Sequence, residues 1–315
     1  MSQISLTRPI LFGLKGPVMS DAERAFFRET QPLGFILFQR NCVNPEQVRS
    51  LTSSLREAVG REEAPIFIDQ EGGRVARLKP PHWPKMCSMG ELGAQCACDA
   101  ACGEEALREH TRQTAHMLLD LGINGNCAPV LDLLIEGADS VIGDRAFGCD
   151  PDHVARCGRI VVETFIACGV WPIIKHLPGH GRVKADPHIK LPVVDTSLNL
   201  LRRQDFVPFR KLADAPLGMT CHVVFTALDS NNPVSLSSRV ITEIIRGEIG
   251  FKGLLVSDDL AMGALSMPLP ERAARALAAG TDILLYCTGE LDEMREIITS
   301  VPQTATCLFS STSSP

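Results

Sequence analysis

Apolar positions along this chain gather into short runs, and between most of them the spacing widens to that of a helix. The runs read "PILFGLKG", "GFILFQRN", "APIFIDQEG", "INGNCAPVLDL", "VWPIIKH", "GMTCHVVF", "GLLVSDD" and "DILLYC". Each is continuously apolar rather than alternating, the mark of strands buried on both faces, as in a parallel sheet. The helices between them carry start signals. "SDAERAFF" offers a capping box, with Ser20 at the N-cap and Glu23 three residues on. "NPEQVRSLTSSL" places Asn44 at the N-cap, Pro45 at the first helical position and Gln47 at N3, then Val48, Leu51 and Leu55 on one face. "DPDHVARCGRIVVETFIAC" repeats the device with Asp150 and Pro151 ahead of Val154, Cys157, Val161, Phe165 and Cys168. "LDEMREIITSV" sets Leu291, Met294, Ile298 and Val301 at helical spacing.

Eight strands alternating with helices in 315 residues predict a single (β/α)8 barrel of the TIM type. The barrel domain is expected over residues 1–305, with 306–315 as a disordered tail. An open doubly wound sheet would need a Gly-rich phosphate turn early in the chain, and "GLKGPVMS" is not GxGxxG.

Composition narrows the function classes. A net charge of −6 without any block of lysine or arginine argues against a nucleic-acid surface. No run approaches the ~18 apolar residues of a membrane span, and "PILFGL" is too short for a signal peptide, so a cytoplasmic protein is expected. The twelve cysteines include no CxxC pair. They read as reduced, small buried hydrophobes, and "CACDAAC" (Cys96, Cys98, Cys102) lacks the paired spacing of a structural zinc site.

In a barrel, chemistry sits where strands end and βα loops begin. The third run is followed by Asp69, Glu71, Arg74 and Arg77, the fourth by Asp132 and then Asp144 and Arg145. The fifth is followed by Lys175, His176, His180, Asp186 and His188, the sixth by His222, and the seventh by Asp258 and Asp259. Asp258, directly off a buried strand, is placed as a nucleophile or charge stabiliser, while Asp259 is the better candidate to cap the next helix. In "DQEGGRVAR", Gly72 and Gly73 allow a sharp turn or close approach to a ligand. Asp69 could meet substrate hydroxyls there or pair with Arg74 or Arg77. Arg145 could grip a polar ring or form a plain bridge with Asp144.

The stretch "IIKHLPGHGRVKADPHIKLPVVD" leaves a strand after Ile174 and fits no regular element up to Asp195. Loops this long in a compact domain are usually functional. Asp186 and His188, two apart, form a pair in which the carboxylate fixes the imidazole's tautomer and raises its basicity, the equipment of a general acid/base near neutral pH.

"KHLPGHGRVKADPHIKLPVVD" followed by "SDDLAM" resembles the family-three glycoside hydrolases, most closely the bacterial cytosolic β-N-acetylglucosaminidases (β-N-acetylhexosaminidases) of peptidoglycan recycling. "GFILFQRN", "DQEGGRVAR", "NCAPVLDL", "IGDRAFG", "MTCHVVF" and "NPVSLSSRVI" extend the likeness from about residue 10 to residue 290. The resemblance implies no cofactor, no metal and a retaining double displacement on terminal β-linked N-acetylglucosamine. It implies Asp258 as nucleophile, His188 as acid/base polarised by Asp186, and Asp69, Arg77, Arg145, Lys175, His176 and, more weakly, His222 as sugar-binding residues. His180, inside "GHG", reads as structural. The expected partner is a small carbohydrate, with no nucleic acid or membrane, and the expected state a monomer. The chain departs from the family loop at Leu177, at Arg182-Val183 and at Pro187, which restricts the dyad's hinge.

Three other readings remain. A metal-dependent amidohydrolase would want a His-x-His pair closing the first strand, and "FGLKG" has none. A phosphorylase or a β-glucosidase would keep the fold and nucleophile. A non-catalytic sugar-binding barrel would have no use for Asp258, Asp186 and His188.

Overall fold

A computed structural model describes residues 6–184 and 191–305. The predicted tail and the Asp186–His188 pair lie outside the described residues.

Eight parallel strands close on themselves: β1 (Leu6–Phe12), β2 (Pro32–Leu37), β3 (Ile66–Ile68), β4 (Gly125–Asn126), β5 (Trp171–Leu177), β6 (Leu217–Thr220), β7 (Leu254–Asp259) and β8 (Ile283–Tyr286). Each pairs with its successor, and β8 returns to β1 in the register Ile10↔Leu284, so no barrel edge is left open. The chain is a (β/α)8 barrel. Residues 304–305 add an antiparallel pairing outside β1 at Leu6 and Thr7.

The uninterrupted apolar runs now have a physical reason. Successive strand residues point to opposite faces, and here both faces are dry. Leu11, Ile36, Phe67, Ile173, Met219, Val256 and Leu285 fill the barrel interior. Their neighbours point outward to the helices, as where Phe12 of β1 and Phe35 of β2 meet Phe26 and Phe27 of α1 (Asp21–Thr30). The predicted starts of α1, α2 (Pro45–Val59) and α3 (Pro151–Ala167) hold. Ser20 and Glu23 form both halves of the capping box, Asn44 accepts the Gln47 N–H, and Asp150 accepts the His153 N–H.

Three expectations change. First, "INGNCAPVLDL" supplies only a two-residue β4, after which Val130 makes a single bridge to Lys175 and the chain leaves the sheet. Second, the fifth strand runs on through Lys175, His176 and Leu177, so both polar residues belong to the barrel wall rather than to a loop. Third, the cysteines are not uniformly buried. Cys96, Cys127, Cys157, Cys221 and Cys287 are, but Cys87, Cys98, Cys102 and Cys149 are exposed. Spacing alone does not tell the wet side of a helix end from the dry one.

Candidate active site

At the carboxyl ends of the strands lies a cavity of about 480 Å3, within the ~300–1,000 Å3 range of small-ligand sites. Its floor is apolar, with Ile36, Met219 and Leu285 rising from the barrel interior. Its walls are polar and of two kinds.

One wall is a network of ion pairs. Lys175, only 2% exposed, reaches across from β5 to Asp69 Oδ1 (2.9 Å) and Glu71 Oε1 (2.6 Å). Asp69 also accepts from Arg77 Nη2 at 3.0 Å, and Glu71 receives both ends of the Arg145 guanidinium at 2.8 and 2.9 Å. Burial would raise both carboxyls, but Lys175 and the arginines outweigh it, holding Asp69 well below the usual carboxylate range and lowering Glu71 as well. Burial likewise opposes the charge on Lys175, and Asp69 and Glu71 overcome it, keeping the amine protonated.

The turn that presents this wall depends on its glycines. Gly72 and Gly73 have φ of 101° and 56°, and a Cβ on Gly72 would lie 2.0 Å from the Cys87 carbonyl oxygen. The glycines therefore serve the turn and the close passage of residues 87–88.

A second cluster anchors β5 where it leaves the sheet. Asp132, fully buried, accepts from His176 Nδ1 (2.6 Å) and from the backbone N–H groups of His176 (3.2 Å) and His180 (2.6 Å). With Nδ1 held by Asp132, His176 turns Nε2 to the cavity it lines. His180 lies beside it at 5.3 Å between ring centroids, and burial together with His176 pushes its imidazole down to about 4, so it is neutral.

On the opposite wall β7 delivers Asp258 and Asp259. The Asp258 carboxylate is half-buried and opens on the cavity, its Oδ1 accepting the Asp259 N–H at 2.9 Å. Burial raises its pKa, but His222, His176 and that N–H outweigh it and keep the group below the usual carboxylate range. Among the described residues it forms no ion pair. Asp259 does not cap a helix, because the next one, α4 (Leu269–Ala279), starts ten residues later. Its Oδ1 instead holds the N–H groups of Ala261 and Cys287.

Residues 5–307 match the Glycosyl hydrolase family 3 N terminal domain. The chain belongs to glycosyl hydrolase family 3. It is 39% identical over 286 residues to a beta-hexosaminidase of Alkalilimnicola ehrlichii, covering 90% of this chain and 81% of the relative. Its structure is similar to that of NagZ from Neisseria gonorrhoeae in complex with N-trifluoroacetyl-D-glucosamine, with a TM-score of 0.87, 32% identity, and 96% of this chain and 88% of that one covered. It is also similar to a glycoside hydrolase family 3 beta-N-acetylglucosaminidase from Paenibacillus sp. str. FPU-7, at a TM-score of 0.85 and 34% identity, over 93% of this chain but 56% of that longer one. The protein is a glycoside hydrolase of the β-hexosaminidase type.

Of the residues that sequence singles out in this family-3 hydrolase, Asp69, Arg77, Arg145, Lys175, His176 and Asp258 line one cavity. The open choices resolve through partners. Arg77 stays inside on Asp69, while Arg74 turns out to Asp144 and the carbonyls of residues 140–142. Arg145 pairs with Glu71 and not with Asp144. His222 departs from its expected place against the sugar. It has no exposed surface, and both ring nitrogens are engaged behind Asp259. Sequence reading gave no role to Glu71, which lines the cavity, or to Asp132, which anchors its wall through His176. Glu71, two residues beyond Asp69, shares its side of an extended backbone, and Asp132 is a charge inside an apolar run that needs a buried partner.

Proposed function

We propose that this hydrolase is a retaining exo-β-N-acetylglucosaminidase acting on terminal β-linked N-acetylglucosamine of peptidoglycan-derived fragments, in the cytoplasm and as a monomer. The observation that carries the reading is Asp258: an ionised carboxylate that faces the cavity with no ion pair among the described residues, while Asp69 and Glu71 across from it are tied to cations. In the first step Asp258 forms a bond to the anomeric carbon as the glycosidic C–O bond breaks, and His188, paired with Asp186, protonates the leaving oxygen. In the second, water attacks the glycosyl-enzyme, His188 takes its proton and Asp258 departs. The roles of Asp186 and His188 rest on the sequence motif. A histidine suits this task because its unperturbed pKa of ~6.5 already lies near working pH.

The paired wall gives the sugar fixed polar groups: the Lys175 and Arg77 N–H groups, the Asp69 oxygens and His176 Nε2. Support for an N-acetylated sugar comes from the Paenibacillus protein's name, a beta-N-acetylglucosaminidase, and from the N-trifluoroacetyl-D-glucosamine held by the Neisseria protein. Among the described residues no helix is long and apolar enough to cross a membrane.

The test is to incubate the protein with the disaccharide of N-acetylglucosamine and anhydromuramic acid and identify the products by mass. Free N-acetylglucosamine, released equally with and without phosphate, is expected. Release as a sugar 1-phosphate would replace hydrolysis by phosphorolysis, and cleavage of the plain glucoside at an equal rate would remove the N-acetyl assignment.

A further inference from the structure

Two pieces of the sequence, "MTCHVVF" and "NPVSLSSRVI", have no part in that mechanism, yet the fold brings them together behind Asp258. His222 lies two residues beyond the end of β6, and Ser235 sits in the short turn Val234–Leu236. Both are 0% exposed. Ser235 Oγ is 2.6 Å from His222 Nδ1, and His222 Nε2 is 3.0 Å from the carbonyl oxygen of Asp259. A carbonyl oxygen can only accept, so Nε2 carries the hydrogen. In the neutral ring Nδ1 is then an acceptor, and the Ser235 hydroxyl donates to it. The same residue whose carbonyl is held, Asp259, donates its N–H to Asp258 Oδ1 at 2.9 Å.

We infer that Ser235 and His222 are positioning residues for the nucleophile: Ser235 sets the tautomer of His222, His222 clamps the Asp259 carbonyl, and the clamped residue aims its N–H at the Asp258 carboxylate. The inference rests on Asp258 being the nucleophile. Neither side chain reaches the cavity, so neither touches substrate, and the effect is transmitted through one hydrogen-bonded chain. A neutral ring suits this role better than a cation. Burial lowers the His222 pKa, and the clamp needs one donor and one acceptor rather than two donors. The groups that face Asp258 are the imidazoles of His222, His176 and His180, with the Asp259 carboxyl adjacent on its own strand.

The experiment compares full-length Ser235→Val, Ser235→Thr, His222→Leu and His222→Gln with wild type. An aryl β-N-acetylglucosaminide is the substrate, with kcat, KM, the pH profile of kcat/KM and the thermal midpoint measured for each. Threonine keeps the hydroxyl and valine removes it at the same shape, while glutamine keeps an N–H donor and leucine does not. We expect Ser235→Val and His222→Leu to lower kcat about 10–100-fold with KM changed less than about threefold, and the acid limb to move to higher pH. Ser235→Thr and His222→Gln should recover most of the loss. Equal losses within each pair, following the thermal midpoint alone, would overturn the inference, as would a rise in KM at constant kcat, which would return His222 to the sugar site. If His222→Leu does not fold, the Ser235 pair decides by the same criteria. A separate control is intact-protein mass and peptide mapping of a trapped glycosyl-enzyme. A label elsewhere than Asp258 in wild type overturns the nucleophile assignment itself, whatever the variants do.

Discussion

The two polar walls of the cavity hold carboxylates in opposite ways. On the wall from β3 and β5, Asp69 and Glu71 each meet two cations, Lys175 being shared. On the wall from β7, Asp258 and Asp259 are neighbours along the strand, bonded to backbone N–H groups and, among the described residues, in no ion pair. The first arrangement fixes charge. Its members keep their ionisation and geometry whatever enters, which suits orienting a neutral, hydroxyl-rich ring. The second leaves an ionised oxygen of Asp258 without a competing cation, free to form a bond. On the proposed mechanism, stability and reactivity fall to different walls, and substitutions should separate them.

The largest effect expected is on turnover. Asp258→Asn keeps an oxygen to accept the Asp259 N–H but is no nucleophile, so kcat for an aryl β-N-acetylglucosaminide should fall on the order of 10^4-fold. Stability, measured by urea denaturation, should change by less than about 1 kcal/mol. A large loss of stability in this variant would mean that the β7 wall is structural as well, and the contrast would fail.

Lys175→Met inverts the pattern. It strips one cation from both Asp69 and Glu71, leaving buried carboxylates under-compensated, and should cost about 3–5 kcal/mol of folding free energy. Whatever protein folds should show a raised KM, since the freed carboxylates no longer hold one geometry. Wild-type stability in Lys175→Met, with loss in kcat alone, would show that this lysine acts in chemistry rather than in holding the wall.

How much of this was legible in the sequence follows the same division. The barrel was readable because a strand buried on two faces must be apolar throughout, and helix starts were readable because caps are local. The cavity residues at strand ends were readable as positions, but their partners were not. "DQEGG" shows two carboxylates and "GDR" an arginine, yet residues 71 and 145 are brought together only by β3 and the loop after β4 lying side by side. His222 shows the limit most clearly. The family resemblance, together with its place after the sixth run, pointed to the sugar site, whereas β6 stops at Thr220 and the chain carries the imidazole behind β7, where Ser235, thirteen residues later, meets it. The proposed acid/base pair rests on spacing and on the family resemblance, and residues 185–190 lie outside those described.

The smallest effect expected concerns Asp259, and its sign sets this residue apart from the paired wall. Burial, with Asp258 adding to it, pushes the Asp259 carboxyl up to about 6, whereas Asp69, Glu71 and Asp258 are held down. A group whose pKa is higher folded than unfolded binds more protons in the native state between the two values. Its contribution to stability is therefore full below the unfolded value of ~3.9 and is lost as pH rises to about 6. The paired carboxylates do the reverse, supporting the fold above their unfolded values and losing that support in stronger acid. Asp259→Asn keeps the Oδ1 acceptor for Ala261 and Cys287 and removes the ionisation. It should therefore gain about 1–2 kcal/mol over wild type at pH 7, shrinking toward zero near pH 4. Urea denaturation of both proteins from pH 4 to pH 7.5 measures it. A difference that is constant with pH, or that grows as pH falls, would mean that Asp259 ionises as the paired wall does.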